Sequence, residues 1–289
     1  IFSMHHRSIF EIQAGAFHLV FGERTLIMGI VNVTPDSFSD GGLFFDKDKA
    51  IKQGKALAEA GADMVDVGGE SSRPFSESVA AEEESRRVVP VVEALAKVLS
   101  VPISIDTTKA VVARRAIDAG ASVVNDIGAM RLDPDMVRVV GDADVPVILM
   151  HMKGTPRDMQ VEPSYEDVVA EVKAFFQNAL EQAEQAGIDR KKIIIDPGIG
   201  FGKTVTHNLL LIKDLSTLHC LEVPILMGPS RKSFITKILG SGNERRELGT
   251  QAAVAVAAHQ GVHMVRVHDV AKTRQTLQIV DAIRAAGRQ

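Results

Sequence analysis

The chain has 289 residues, a net charge of −4 and 45% hydrophobic residues, long enough to bury a large core and too apolar for a disordered segment. The nearly balanced charge excludes a general nucleic-acid or membrane surface, so an anionic ligand has to be met by locally placed Arg, Lys or His. A single cysteine, Cys220, excludes an intrachain disulfide and fits a reducing, cytoplasmic setting.

In chain order, residues 9–22 read as a β-hairpin, expected to plug the bottom of whatever follows. Eight short apolar runs then end abruptly on polar residues: 26–32, 64–70, 102–108, 122–127, 146–152, 193–198, 224–230 and 263–269. They are continuous rather than alternating, the signature of strands buried on both faces. Helical stretches are expected at 46–60, 81–99, 109–119, 165–186, 206–218, 232–239, 245–260 and 270–286. The phrase AGA or AGI recurs at 60–62, 119–121 and 186–188, each time between a helix and the next strand, where glycine suits the C′ position. The apolar run VAVAAHQGVHMV is interrupted and too short to span a bilayer.

Eight strands alternating with helices predict a parallel sheet. Polar strand ends spread over nearly all of them favour a closed (β/α)8 TIM barrel, preceded by the hairpin, over an open sheet with its site at one switch point. One domain covers 1–289. In such a barrel the strand C-termini share one face. The candidates there are Asn32, Asp66, Glu70, Asp106, Asn125, Asp126, His151, Asp196, Lys203, Ser230, Lys232, Arg266 and His268. Asp66, Asp106 and Asp196 need donors once desolvated, and a ligand can provide some.

Two chemical sets emerge. Asp106, Asn125 and Asp196, flanked by Ile105, Ile127 and Ile195, suit a planar heterocycle with amino, ring N–H and oxo groups, and Lys232 adds a donor. Arg266, His268, Asn32 and Arg73 suit a phosphate or diphosphate. No carboxylate cluster resembles a metal cage; a Mg²⁺ carried in on a diphosphate and touching one protein ligand is the expectation. DPGIGFGK (196–203) lacks the spacing of a phosphate loop and reads as a tight βα turn. TPDSFSDGG (34–42), with Phe38 among small polar residues, reads as a lid. His207, His219, His259 and His263 show no ligand spacing and read as surface or helix-end residues.

The motifs NVTPDSFSDGG, VDVGGESSRP, SIDTTK, VNDI, LMHMKGTPRDMQ, DPGIGFGK, SRKS and RVHD together resemble those of the bacterial dihydropteroate synthase family, in its order and over almost the whole chain. The resemblance implies the TIM barrel. It also implies the joining of 4-aminobenzoate to 6-hydroxymethyl-7,8-dihydropterin diphosphate, with loss of diphosphate, in folate synthesis. By that resemblance Asp106, Asn125, Asp196 and Lys232 hold the pterin between Ile127, Met150 and Phe201. Arg266 and His268 hold the diphosphate, and Asn32 is the Mg²⁺ contact. Ser72, Arg73 and Pro74, with Phe38, Phe201 and Ser233, shape the aminobenzoate pocket. Ser233 lies in the first turn of a helix, where backbone N–H groups favour a carboxylate. Asp40, with Arg266, His268 and Lys232, is the catalytic group, able to stabilise a pterin cation or take the amine proton. GGESSRP stands where the family commonly has GGESTRP; Ser72 keeps the hydroxyl and loses a methyl. The Ala- and Val-rich stretch 251–258 suits a dimer face and core packing equally; the family resemblance implies a homodimer. A methyltransferase using a reduced folate would share the pterin contacts but has no need of TPDSFSDGG, SRK and RVHD together. A silent binding paralogue would not keep the lid with Arg266 and His268.

Overall fold

In the computed structural model, residues 7–34, 43–71, 76 and 78–286 are described. Phe38, Asp40, Ser72, Arg73 and Pro74, and with them residues 35–42 of the expected lid, lie outside the described residues.

The chain opens on an antiparallel hairpin, β1 (Phe10–Ala14) and β2 (Phe17–Phe21), turning at Gly15. Eight parallel strands follow at the eight apolar runs: β3 (Leu26–Asn32), β4 (Met64–Gly68), β5 (Ile103–Asp106), β6 (Val123–Asp126), β7 (Val147–Met150), β8 (Ile193–Asp196), β9 (Leu226–Met227) and β10 (Met264–Val267). Their order is β8-β7-β6-β5-β4-β3-β10-β9. The ring closes between β8 and β9, where Ile195 bridges Ile225 and its N–H donates to the Pro224 carbonyl at 3.0 Å.

The strand sequences look continuous because both faces are buried, but the faces differ. Side chains alternate across a strand. One set, including Ile27, Val65, Ile105, Val124, Leu149, Ile195 and Val267, packs outward on the helices. The alternate set, Met28, Met64, Val123, Ile148, Ile194, Leu226 and Met264, fills the barrel's lower interior together with Ile12, Ala14, Leu19 and Phe21 of the hairpin. The hairpin therefore plugs the N-terminal end as its sequence suggests. Each such buried Ile or Phe is worth about 1.5–3 kcal/mol. Two residues further along each strand, the same inward direction carries Asp66, Ser104, Asn125, Asp196 and Arg266. The plug makes the bottom dry and leaves the polar layer at the top.

The outer helices are α1 (Leu43–Glu59), α2 (Ala81–Ala96), α3 (Ala110–Asp118), α4 (Met136–Ala143), α5 (Val168–Gln185), α6 (Val205–Lys213), α7 (Ser233–Leu239), α8 (Asn243–His259) and α9 (Val270–Ala285). Local chemistry sets their ends. Asp167 caps α5 by accepting from the Val169 and Ala170 N–H groups, and Thr204 with His207 forms a capping box on α6. Gly120, in the recurring phrase, has φ of +112°, and a Cβ there would lie 2.6 Å from that of Ala96; only glycine lets α3 turn so closely under α2.

Two elements depart from expectation. The helix expected over 206–218 stops at Lys213, and a 3₁₀ helix runs over Leu215–Leu221, burying Leu215, Leu218 and Leu221 at its three-residue period. Helix α4 was not anticipated. It is short and carries Gly141, yet its buried Met136, Val139 and Val140 sit at helical spacing. His263 is also corrected: it is buried at the start of β10, accepts the Ile225 N–H at Nδ1 (3.0 Å), and packs edge-on against Phe10. Among the described residues no helix is long and apolar enough to cross a membrane.

Candidate active site

Arg266, from β10, reaches across the barrel. Its Nε donates to Asp66 Oδ2 on β4 at 2.6 Å and its Nη2 to Asp106 Oδ2 on β5 at 2.7 Å. Asn125 on β6 donates from Nδ2 to the same Asp66 oxygen at 3.2 Å. A carboxylate can only accept, so Asp66 fixes which way round the Asn125 amide sits, with its nitrogen toward Asp66. Asp66 is fully buried, and its Oδ1 has no hydrogen-bond partner. Burial pulls the Arg266 guanidinium down, but the two carboxylates outweigh it and hold its pKa above the ordinary value. The sequence grouped Arg266 with the phosphate binders and left Asp66 and Asp106 to a ligand. In the structure Arg266 is the donor to both. The triad anchors the guanidinium and orients it beside the pocket.

Asp196 sits opposite on β8. Its Oδ1 accepts the Gly198 N–H at 2.8 Å. Burial raises its pKa to about 6, with the Gly198 hydrogen bond and Lys232 opposing. Burial likewise raises Asp106 to about 7, the Arg266 charge offsetting only part of the effect. A Cβ on Gly228 would stand 3.7 Å from the Arg266 Cβ and 3.9 Å from Asp196 Oδ2, so the glycine leaves a gap between these two charged groups.

Lys232 precedes α7. Its stem lies over Gly200, where a Cβ would come within 2.8 Å of Lys232 Cδ and where φ is +85°. Its ammonium stands 3.8 Å above the Phe201 ring, a cation–π contact. Burial and the neighbouring Arg266 lower its pKa to about 7, against the pull of Asp196 and Asp106. Below it, Ile127, Met150, Met152, Met159 and Phe201 form one apolar cluster. Ile127, Met150 and Phe201 were expected there. Met152 and Met159 were not, although LMHMKGTPRDMQ contains both; the inward alternation Ile148, Met150, Met152 signalled the first, and no spacing marks Met159.

His268 and Ser230 complete the rim on the β10 and β9 sides. The Ser230 hydroxyl accepts the His268 backbone N–H at 3.2 Å and pairs with its Nδ1 at 2.9 Å. The Ser230 hydroxyl therefore holds His268 at two points, its backbone N–H and its ring Nδ1. Asn32, half-buried, ends β3. Ser233 opens α7 and is exposed. Among the described residues no group of three His, Cys, Asp or Glu is placed to hold a metal ion.

Four other candidates have local partners. Asp126 turns away from the mouth, accepting the Gly128 and Met130 N–H groups at 2.7 and 2.6 Å. Asp126→Ala should cost about 1–3 kcal/mol of stability, as stranded buried donors do, while substrate KM values stay unchanged; denaturant unfolding and steady-state kinetics on one preparation check both. Lys109 Nζ ties Glu70 to the fully buried Glu84. His151 and Lys203 contact one another beneath the β8–α6 turn. That turn is the tight βα connection expected of DPGIGFGK.

The chain was compared with known proteins. A family model described as pterin binding enzyme matches residues 28–268. The dihydropteroate synthase of Escherichia coli (strain K12) is 45% identical over 260 residues, covering 90% of this chain and 92% of that protein. That of Synechocystis is 44% identical over 264 residues, covering 91% of each. Among solved structures, the Xanthomonas albilineans dihydropteroate synthase with 4-aminobenzoic acid superimposes with a TM-score of 0.91 at 45% identity, covering 96% of this chain and 100% of that one. The same organism's enzyme in complex with 7,8-dihydropteroate gives a TM-score of 0.87 at 43% identity, covering 96% and 99%.

Proposed function

The chain belongs to the pterin binding enzyme family, and on that premise we propose that it is a working dihydropteroate synthase. It joins 4-aminobenzoate to 6-hydroxymethyl-7,8-dihydropterin diphosphate and releases diphosphate. The observation that carries this reading is one barrel mouth holding Asp106, Asn125, Asp196 and Lys232 over an apolar wall, with Arg266 and His268 beside them.

The acceptors fit the heterocycle. Asp196, with one oxygen on Gly198, offers the other to a pterin amino or ring N–H. The Asn125 carbonyl oxygen is a further acceptor, and Lys232 donates to an oxo or ring nitrogen. Ile127, Met150 and Phe201 wall the ring plane. His268 and the edge of Arg266 meet the diphosphate, so charge developing on the leaving group falls on fixed donors. The reaction then runs dissociatively. The bond from the pterin methylene to the diphosphate oxygen breaks, its electron pair leaving with diphosphate. The aromatic amine attacks the resulting cation and loses one proton. That amine is nearly neutral and needs little activation; Asp40 is the group assigned to steady the cation or take the proton. Ser72, Arg73, Pro74, Phe38, Phe201 and Ser233 are the residues assigned to the aminobenzoate by the family's motifs.

Asn32 fits a Mg²⁺ ion as one hard oxygen donor to an ion carried by the diphosphate, since among the described residues no carboxylate cage accompanies it. Bound there, the ion supplies Lewis-acid neutralisation of the leaving diphosphate. The test is diphosphate release with the dihydropterin diphosphate, with and without 4-aminobenzoate and Mg²⁺. Release that needs both and yields dihydropteroate supports the reading; pterin binding without turnover removes it.

A homodimer is also proposed. An apolar groove of about 380 Å³ runs between α6, α7 and α8, with Ile238 53% and Val256 46% exposed. Such a patch on a lone chain is costly. Sedimentation should give twice the 31.2 kDa chain mass, and Val256→Glu should shift it to one chain; a wild-type monomer at micromolar concentration would exclude the dimer.

A further inference from the structure

Lys203 ends the β8–α6 turn and is 3% exposed. Its Nζ lies 2.9 Å from His151 Nδ1, 2.9 Å from the Phe201 carbonyl and 3.4 Å from the His151 carbonyl. Among the described residues it makes no ion pair with a carboxylate. Burial pulls the amine down to about 7, Asp196 being too far to restore it. Burial and the adjacent Lys203 keep His151 neutral down to about 2, so its Nδ1 can accept. Desolvating a cation without a counter-ion costs several kcal/mol. Packing alone favours methionine in that place, so the cost points to the acceptors.

All three acceptors belong to two segments: the end of β7 and the turn after β8. The turn is pressed flat on β7. A Cβ at Gly198, where φ is +69°, would fall 2.0 Å from the His151 carbonyl oxygen. The turn's carbonyls are met from the β7–α5 connection, with Gln160 donating to Gly200 at 2.9 Å and Tyr165 to Gly202 at 2.8 Å. Between them stands Phe201, whose ring carries the Lys232 ammonium at 3.8 Å. Phe201 lies beyond the strand ladder: its N–H donates to the Gly198 carbonyl at 3.1 Å within the turn, and the side chain on its own carbonyl is Lys203.

We propose that Lys203 is a positioning residue: together with His151 it clamps the Phe201 carbonyl to the end of β7, and so holds the aromatic wall of the pterin pocket beneath Lys232. The inference rests on the dihydropteroate synthase reading above. Lys203 touches no substrate. It acts through Phe201, and that indirectness can be measured.

The experiment is a double-mutant cycle of Lys203→Met and Phe201→Ala. It reads equilibrium binding of 6-hydroxymethyl-7,8-dihydropterin diphosphate, its KM and kcat. Lys203→Met should weaken pterin binding and raise KM about 10-fold, within the range for residues sharing one bonded unit, with kcat changed less than about 3-fold. In the Phe201→Ala background the same substitution should add less than about 2-fold, and Lys203→Arg should recover part of the loss. If Lys203→Met does not fold, His151→Phe removes the Nδ1 acceptor and enters the same cycle. Equal losses in both backgrounds, or unchanged pterin binding in the single variant, overturn the proposal. Wild-type protein that binds the pterin diphosphate without aminobenzoate-dependent release refutes the functional reading instead, and the binding cycle still decides the role of Lys203.

Discussion

Arg266→Met is expected to lower kcat/KM about 10³-fold, the scale seen when a fixed donor to developing charge is removed, and to destabilise the fold by about 3–5 kcal/mol, as breaking a buried pair does. The two effects have different origins. On the proposed reading, activity falls because the guanidinium is the donor assigned to the leaving diphosphate. Stability falls because Asp66 is left with the Asn125 amide alone and Asp106 loses its charged donor: the first is fully buried with one oxygen already unpartnered, the second is already raised to about 7 by burial. Without Arg266 the Asp106 carboxyl loses the charge that opposes burial and shifts further up. A carboxyl whose folded pKa lies above its unfolded value stabilises the fold at low pH and loses that contribution as pH rises through the folded pKa. The deficit of Arg266→Met should therefore be small near pH 4 and grow through pH 7. Adding Asp66→Asn should return part of the stability and none of the activity. Urea unfolding at pH 5 and pH 8 with parallel kinetics decides it; a deficit that does not change with pH would mean that the carboxylates are not the cause.

That pairing also marks where sequence reading stops. The strands were legible because double-sided burial leaves unbroken Ile, Val and Leu runs, and each run ends on the residue that faces the mouth. Asp106, Asn125, Asp196 and Lys232 could be grouped by chemical type because a heterocycle needs acceptors and a donor together. The partner of Arg266 could not. Arg266 pairs in register with Met28, while Asp66 pairs with Ile30, so the guanidinium crosses the intervening strand inside a closed ring. Spacing along the chain carries no trace of a contact 200 residues apart. The hairpin plug was legible from apolar alternation. Helix α4 was hidden by Gly141 although its buried positions have the right period. Lys203 was legible as the end of a glycine turn, but its His151 partner lies on a neighbouring strand, and only the flat seating of that turn brings them together.

Lys232→Met should give a protein that is more stable and nearly inactive. Lys232 has no hydrogen-bonded carboxylate among the described residues; its ammonium rests on the Phe201 ring beside Arg266. Its pKa is lowered from 10.5 to about 7, so folding disfavours its charged form. The sign follows from proton counting. Between pH 7 and 10.5 the unfolded chain binds the proton that the folded site releases, and wild-type stability rises with pH across that window. Below pH 7 the full cost is present; above 10.5 it is gone. Methionine fits over Gly200 without the charge, and replacing a buried ion by an apolar side chain of similar volume typically gains about 1–4 kcal/mol. The gain should be greatest at pH 6 to 7 and vanish toward pH 10.5, while kcat/KM falls about 100-fold for loss of one oriented donor in a dry site. Thermal unfolding across pH 6 to 10 reads the first and diphosphate release the second. A variant less stable than wild type at pH 6 would show that the contact with Phe201 outweighs desolvation. The expected opposite outcome means that the site keeps an ill-solvated cation poised for a ligand that supplies its missing acceptor, which on the proposed reading is the pterin's oxo group.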